Sequence, residues 1–513
     1  MSDYGIITLF FFGIILVEFA AVMLLNDGVF TYALDDPYIH LAVAENLANT
    51  GLYGVNPSEV SAPCSSPLWP FLMVPFAGLQ WFEYAPLLLN TAAGFLTCMI
   101  LIGRVRRIIP PVPDDWKGTL LRAALVGGAL IATNVIGVVF TGMEHSLQVL
   151  LAVCVVEGML RHTEGRKPGA WFEIAVVIGP WVRYENLALT LAAVIFLFMS
   201  GQRGKALLLG SAALAGLAAF SAYLYSLGLS PIPASITAKS TFEGQQPFIA
   251  ALRNLKTSMG LGRGMLIALS VSLLFGIALA SRGTRIWRLT ACCIALAGSL
   301  HLVAGAYGWV NRYEIYILIS MMLGLAGLVP KALEDSGIRP GRRLGWVMLP
   351  LFATVGFPYI QGLAMVPMAS NNIYTQHFQM HRFVVSHWRK PVAVNDLGYV
   401  CFRNSQYVLD LWGLASPKAL SARLKNEHPD WISELSEEHG VKLAMVYTPW
   451  FPSRPASWRR VATLNISGKL VTPAWHEVSF YATEPRYIPE ILDALSNFNE
   501  TLPDGAVLKT FAE

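Results

Sequence analysis

Long apolar runs separated by short polar turns fill the first two thirds of the chain. A run of about 18 apolar residues is enough to cross the hydrocarbon layer as a helix, because only a helix satisfies its own backbone there. Eleven segments fit this pattern, at about 5–25, 86–103, 119–140, 145–160, 170–181, 185–200, 205–227, 264–281, 289–308, 313–330 and 344–366. The fifth is short on its own. Basic residues flank the 170–200 region on both sides, Arg166 and Lys167 before it and Arg203 and Lys205 after it, so the chain is expected to go out and return there. The run "PLWPFLMVPFAGLQWF" (67–82) is apolar as well, but its three prolines and two tryptophans suit an interfacial helix rather than a span.

Beyond about residue 366 the pattern changes to that of a globular domain. "PVAVND", "QYVLDL", "VKLAMVYT" and "WHEVSFYA" read as strands, and "ALSARLKNEH", "DWISELSEEHG" and "YIPEILDALSNF" as helices. The expected fold class is therefore a polytopic α-helical membrane protein of about eleven transmembrane helices with a C-terminal α/β domain. The membrane domain is placed at 1–366, with 26–85 as a first outer loop carrying interfacial helices, and the α/β domain at 367–513.

Composition agrees: 54% of the 513 residues are hydrophobic and only 14% charged. Charge then sets orientation. Basic residues gather in alternate loops: five from Arg104 to Arg122, three from Arg161 to Lys167, two at Arg203 and Lys205, three from Arg282 to Arg288 and four from Lys331 to Arg343. The positive-inside rule makes those loops cytoplasmic, which puts the N-terminus inside and the C-terminal domain outside. The first apolar segment has no basic flank and no small-residue cleavage site, so it is expected to stay as a helix. The net charge of +4 belongs to these loops, and nothing supports a nucleic-acid partner. Of six cysteines, only Cys64 and Cys401 fall outside the spans as a candidate disulfide.

The same topology brings unusual polar residues to one rim. Asp35 and Asp36 follow the first span, Glu144 and His145 the third, Arg183 and Glu185 the fifth, Lys239 the seventh, and Arg312, Tyr313 and Glu314 the ninth. Ionisable groups near hydrocarbon are costly unless paired or in a wet cavity, so such a ring marks a polar pocket. Taken singly, each has a plainer role: the glutamates at helix N-termini, Arg183 and Arg312 paired with Glu185 and Glu314. In "LDDPYIHLAVAENLAN", Asp36 before Pro37 reads as the N-cap of an interfacial helix, which leaves Asp35 as the carboxylate suited to take a proton from a hydroxyl. Arg183, Lys239 and Arg312 supply cations for an anionic leaving group. An outward-facing transferase with a base and a cationic clamp points to a sugar donor carried on a polyprenyl phosphate, displaced once with inversion. The tail tryptophans Trp412, Trp431, Trp450, Trp458 and Trp475 are either core or stacking surfaces for sugar rings.

"LDDPYIHLAVAENLANTGLYGVNPSEVSAPCSSPLWPFL", "TGMEHSLQ", "WVRYENLAL", "GLSPIPASITAKS" and "VNRYEIYIL" resemble, in order and spacing, the GT-C superfamily of membrane glycosyltransferases, nearest to the branch of the mycobacterial arabinofuranosyltransferases. The resemblance implies a GT-C fold, a polyprenyl-phosphate sugar donor, a glycan or glycolipid acceptor in the cell envelope, and a bacterial plasma membrane location. It also implies a first-loop aspartate as general base, here Asp35 or Asp36. Some members of the superfamily use a divalent metal, for which Asp36, His40, His377 and His381 are the candidate ligands. A transporter or flippase for a lipid-linked saccharide is the main rival, since a polar cavity in a helix bundle also suits transport. A non-catalytic scaffold leaves the first-loop acids without a role.

Overall fold

The computed structural model describes residues 2–239, 247–280, 283–337, 342–425 and 430–511. Among them, eight helices are long and apolar enough to cross a membrane: Asp3–Leu25, Phe82–Ile108, Trp116–Thr141, His145–Thr163, Arg203–Ser226, Gly262–Leu279, Arg285–Ala304 and Ile315–Asp335. A ninth is obtained if Gly345–Val355 and Phe357–Ala364, bent by 65° at their junction, count as one span. Pro350 inside the first of these and Gly356 at the break account for the bend. A Cβ on Gly356 would lie 2.5 Å from both the Phe352 carbonyl oxygen and Ala132 Cβ, so the corner needs glycine.

The two remaining apolar segments are helices too, Ala170–Val182 and Tyr184–Met199. At 1.5 Å per residue each is well short of the ~30 Å hydrocarbon layer. The expectation of about eleven full spans thus becomes eight or nine, with the fifth and sixth segments too short to cross individually. The run at 67–82 breaks into a five-residue helix, Trp69–Met73, and a 3-10 turn, Val74–Phe76, and does not span.

The chain gathers into two compact units, each discontinuous in sequence. The first comprises Met1–Val17, Leu87–Ala219 and Thr241–Ala364 and is helical. Several of its buried charges are paired. Arg122 donates from Nε and Nη2 to the two carboxylate oxygens of Asp3, each at 3.0 Å, and Arg104 Nε donates to Glu157 at 2.8 Å.

The second unit comprises Glu18–Pro86, Phe220–Ser240 and Met365–Glu513. It is built on a six-stranded mixed sheet of order β2-β1-β3-β5-β4-β6, with β1 Val392–Val394, β2 Val408–Asp410, β3 Leu443–Val446, β4 Arg459–Ile466, β5 Glu477–Ala482 and β6 Ala506–Thr510. Strands β1, β2 and β3 run parallel; β5, β4 and β6 are antiparallel additions. All four strands expected from sequence are present, and β4 and β6 join them. Those two extend the sheet to its edge, where β6 exposes Val507, Lys509 and Thr510 and so shows no buried run to read. One face buries Val392, Val394, Leu443, Met445 and Phe480 against the helix Ile488–Asn499; the other buries Ala393, Ala444, Val446 and Tyr481. Asn56 from the first loop completes the β2 edge, accepting from Val408 N at 2.9 Å and donating to Val408 O at 3.1 Å. Cys64 and Cys401 are both buried, and the candidate disulfide between them is not formed.

Candidate functional site

Each unit contains a polar cluster that gathers residues singled out along the sequence. In the sheet-bearing unit the cluster is built around Asp35. The capping expectation is reversed here: the helix runs Asp36–Thr50, so Asp36 lies in its first turn and Asp35 is the flanking residue, in helical conformation and with no side-chain cap bond. Asp35 turns its carboxylate to another helix end. Its Oδ2 accepts from Gly398 N at 2.8 Å and its Oδ1 from Tyr399 N at 2.7 Å, holding the first amides of the short helix Gly398–Cys401.

Asp35 is therefore a fixed carboxylate, not a loose one. Burial pushes its carboxyl up to about 6; the charge of His377 and the Tyr399 amide pull it down, while Asp396 and Asp36 add to the rise. His377 is buried, with Nε2 3.3 Å from Asp396 Oδ2. Burial opposes its charged form, and Asp35 and Asp396 together outweigh that, so its pKa lies above the ordinary imidazole value. Around this group, Tyr399 lies against Tyr38 with ring centroids 3.8 Å apart, Tyr447 donates to Gln376 Oε1 at 2.7 Å, and Asn395 Oδ1 accepts from Tyr447 N at 2.7 Å.

The suggested metal set is not assembled. Among the described residues no three His, Cys, Asp or Glu side chains come together as ligands. His377 is committed to Asp396, and the His381 ring lies 5.2 Å from that of Tyr399, where burial lowers its pKa to about 4. His40 is buried on the helix Asp36–Thr50.

In the helical unit the cluster is built around Tyr313. The Arg312 guanidinium lies 4.9 Å from the centre of the Tyr313 ring and donates to its hydroxyl at 2.9 Å; Arg183 lies 5.6 Å from the same ring, and His145 is edge-on at 5.8 Å. Arg183 is also held by two carboxylates, Glu144 at 2.8 Å and Glu185 at 2.5 Å. Glu314 accepts from Arg263 at 3.0 Å and from Gly308 N at 3.0 Å. The turn before Arg312 is strained. Gly308, Trp309, Val310 and Asn311 all have positive φ, of 90°, 51°, 62° and 59°, and a β-branched residue such as Val310 rarely enters that region. Asn134 Nδ2 donates to Val310 O at 3.1 Å and Asn311 Nδ2 to Pro358 O at 2.9 Å, which pins the turn.

Lys239 is the last residue of the helix Ala234–Lys239, and its side chain lies outside the described residues. Among the tail tryptophans, Trp458 is buried against Tyr481, Trp412 and Trp450 face each other at 4.6 Å, and Trp475 is exposed. Sequence reading missed Gly398, Tyr399, Arg263 and the run Gly308–Asn311. Only the glycine in "NDLGYV" signalled anything, since a glycine after a strand marks a close backbone approach.

A domain family of unknown function, DUF8728, matches residues 371–481. No curated protein sequence matches the chain. Among solved structures, the chain is similar to ArnT from Cupriavidus metallidurans bound to undecaprenyl phosphate, at 11% identity and a TM-score of 0.41, over 92% of this chain and 97% of that one. The apo state of the same ArnT is similar at 12% identity and a TM-score of 0.40, over 93% and 98%. A mutant of the arabinofuranosyltransferase AftD from Mycobacteria is similar at 14% identity and a TM-score of 0.41, over 92% of this chain and 41% of that one.

Proposed function

We propose that this multi-pass membrane protein is an inverting glycosyltransferase of the GT-C kind. It moves a sugar, a pentofuranose such as arabinofuranose, from a polyprenyl-phosphate donor to a cell-envelope glycan or lipid. The observation that carries the proposal is Asp35: a carboxylate held by two backbone amides, with burial raising its pKa into the range where a base both stays ionised near neutrality and takes a proton readily.

The proton of the acceptor hydroxyl passes to Asp35 as the oxygen bonds to the anomeric carbon. The bond from that carbon to the donor phosphate breaks on the opposite face, and the phosphate leaves with the electron pair. No acid is needed if cations receive the developing charge. Arg312, with Tyr313 and His145 beside it, is the first candidate for that role; Lys239 is a second. Arg183, already shared by Glu144 and Glu185, is assigned to shaping the cluster. Asp36 supports the base as a neighbouring negative charge. The alternating basic loops support a bacterial plasma membrane orientation with the N-terminus cytoplasmic and the α/β domain outside.

The test is turnover by purified protein on a panel of polyprenyl-phosphate sugars and acceptors, comparing wild type with Asp35→Asn and Asp36→Asn. The expected result is a new glycosidic bond in wild type, abolished in Asp35→Asn and weakened in Asp36→Asn, with all three folded. Full turnover in Asp35→Asn sinks the proposed base. Translocation of a lipid-linked saccharide without a new bond assigns the chain to transport instead.

A further inference from the structure

The helical unit contains a cavity of 290 Å³ that has no part in the proposed chemistry, lined in part by Leu160, Leu328, Thr163, Thr284, Trp287 and Lys331. It lies where three spans end together: the C-terminus of His145–Thr163, the N-terminus of Arg285–Ala304 and the C-terminus of Ile315–Asp335. These ends lead into the loops rich in Arg and Lys, so the cavity belongs to the level of the lipid headgroups on the basic side of the membrane.

Two independent observations point to a ligand. Trp287 is 6% exposed, and its indole Nε1 is buried with no hydrogen-bond acceptor among the described residues. A buried donor left unmade is costly, and this one belongs to a residue that lines a space able to admit an acceptor. The second observation is charge. Glu164 also lines the cavity, and its carboxylate is bonded to Arg104 and lies within 3.7 Å of Arg107 and 3.9 Å of Arg166. Glu157 is held by Arg104, Arg107 and Arg161. Four guanidiniums thus serve two carboxylates, one of which lines the cavity, so the cluster that reaches the cavity through Glu164 carries an excess of positive charge. Lys331, paired with Asp335 at 3.0 Å, adds an exposed ammonium at the cavity wall.

We propose that this cavity seats the phosphate of an anionic phospholipid from the leaflet on the basic side. The phosphate or glycerol-ester oxygens accept from Trp287 Nε1, the Thr163 and Thr284 hydroxyls line the headgroup, and Leu160 and Leu328 meet the start of the acyl chains. Basic pockets between membrane helices on that side are suited to such headgroups. A phosphate group is shared by lipid and free anion, so the test separates the two.

Full-length protein is reconstituted in nanodiscs of phosphatidylcholine containing phosphatidylglycerol, extracted in mild detergent, and the retained lipid is counted by native mass spectrometry. Wild type is expected to retain phosphatidylglycerol above its bulk fraction. Trp287→Phe keeps the ring and loses the donor, and Lys331→Gln loses the charge; each is expected to lower retention about fivefold. Millimolar inorganic phosphate is expected to leave retention unchanged. Equal retention of both lipids, or unchanged retention in both variants, overturns the proposal, and displacement by inorganic phosphate assigns the cavity to a free anion instead. A thermal melt of each variant, matched to wild type, establishes that a loss comes from the site and not from unfolding.

Discussion

Gly398 meets Asp35 at backbone distance. Its amide donates to Asp35 Oδ2 at 2.8 Å, and a Cβ on Gly398 would lie 2.1 Å from the Asp35 carbonyl oxygen and 2.5 Å from Oδ2. Only a residue without a side chain lets the helix Gly398–Cys401 present its first amides to this carboxylate. Gly398→Ala is expected to displace Asp35, destabilise the protein by about 1–3 kcal/mol and lower turnover at least tenfold. Thermal unfolding and steady-state rates check both, and a fully active Gly398→Ala protein would show that the amides do not position the acid.

The raised pKa of Asp35 gives a pH dependence with a definite sign. The base works ionised, so kcat/KM is expected to fall as pH drops through about 6. Removing the cation in His377→Gln moves that limb to higher pH, and removing the neighbouring carboxylate in Asp396→Asn moves it lower. An acid limb that stays near the ordinary 3.8 in wild type, or does not respond to His377→Gln, contradicts the assignment. On stability the sign is opposite. A carboxyl whose folded pKa is raised helps the fold below about 3.8, and that help is lost as pH rises through about 6. Asp35→Asn is therefore expected to flatten the fall in stability over this interval, measured by chemical denaturation.

Arg183 holds two carboxylates at once, Glu144 fully buried and Glu185 partly so. Arg183→Met removes the cation that both carboxylates share and is expected to cost about 3–5 kcal/mol. Adding Glu144→Gln and Glu185→Gln removes the two carboxylate charges and is expected to recover most of that loss. If the triple variant is no more stable than Arg183→Met in detergent melts, the ion cluster is not what fails.

Val310 occupies a left-handed conformation that costs a β-branched residue about 1–3 kcal/mol, in a turn that presents Arg312 and Tyr313. Val310→Gly relieves that strain and is expected to raise the melting temperature while weakening donor affinity, because the turn then samples other conformations. A variant with a lower melting temperature and unchanged KM would mean that the valine side chain matters through packing alone.

Much of the architecture is set locally and is legible along the chain. Among the described residues the eleven apolar segments form helices, as hydrocarbon requires of the eight or nine long enough to span it, and "PVAVND", "QYVLDL", "VKLAMVYT" and "WHEVSFYA" are strands because their apolar runs suit a sheet buried on both faces. Sequence also singled out Asp35, Arg183 and Arg312, since charge beside hydrocarbon needs a reason. It named Glu185 as a partner of Arg183, which the structure has, but not Glu144, nor the partners of Asp35. Local capping logic assigned Asp36 to the helix start and left Asp35 loose, whereas Asp35 is tied to amides 363 and 364 residues away. Nor did adjacency identify the partner of Glu314, which is Arg263, 51 residues back. Helix and strand formation follow from the neighbours of each residue, but hydrogen bonds and ion pairs between distant segments follow from how the elements pack. What Asp35 is able to do was decided there, by two amides, a histidine and the removal of water.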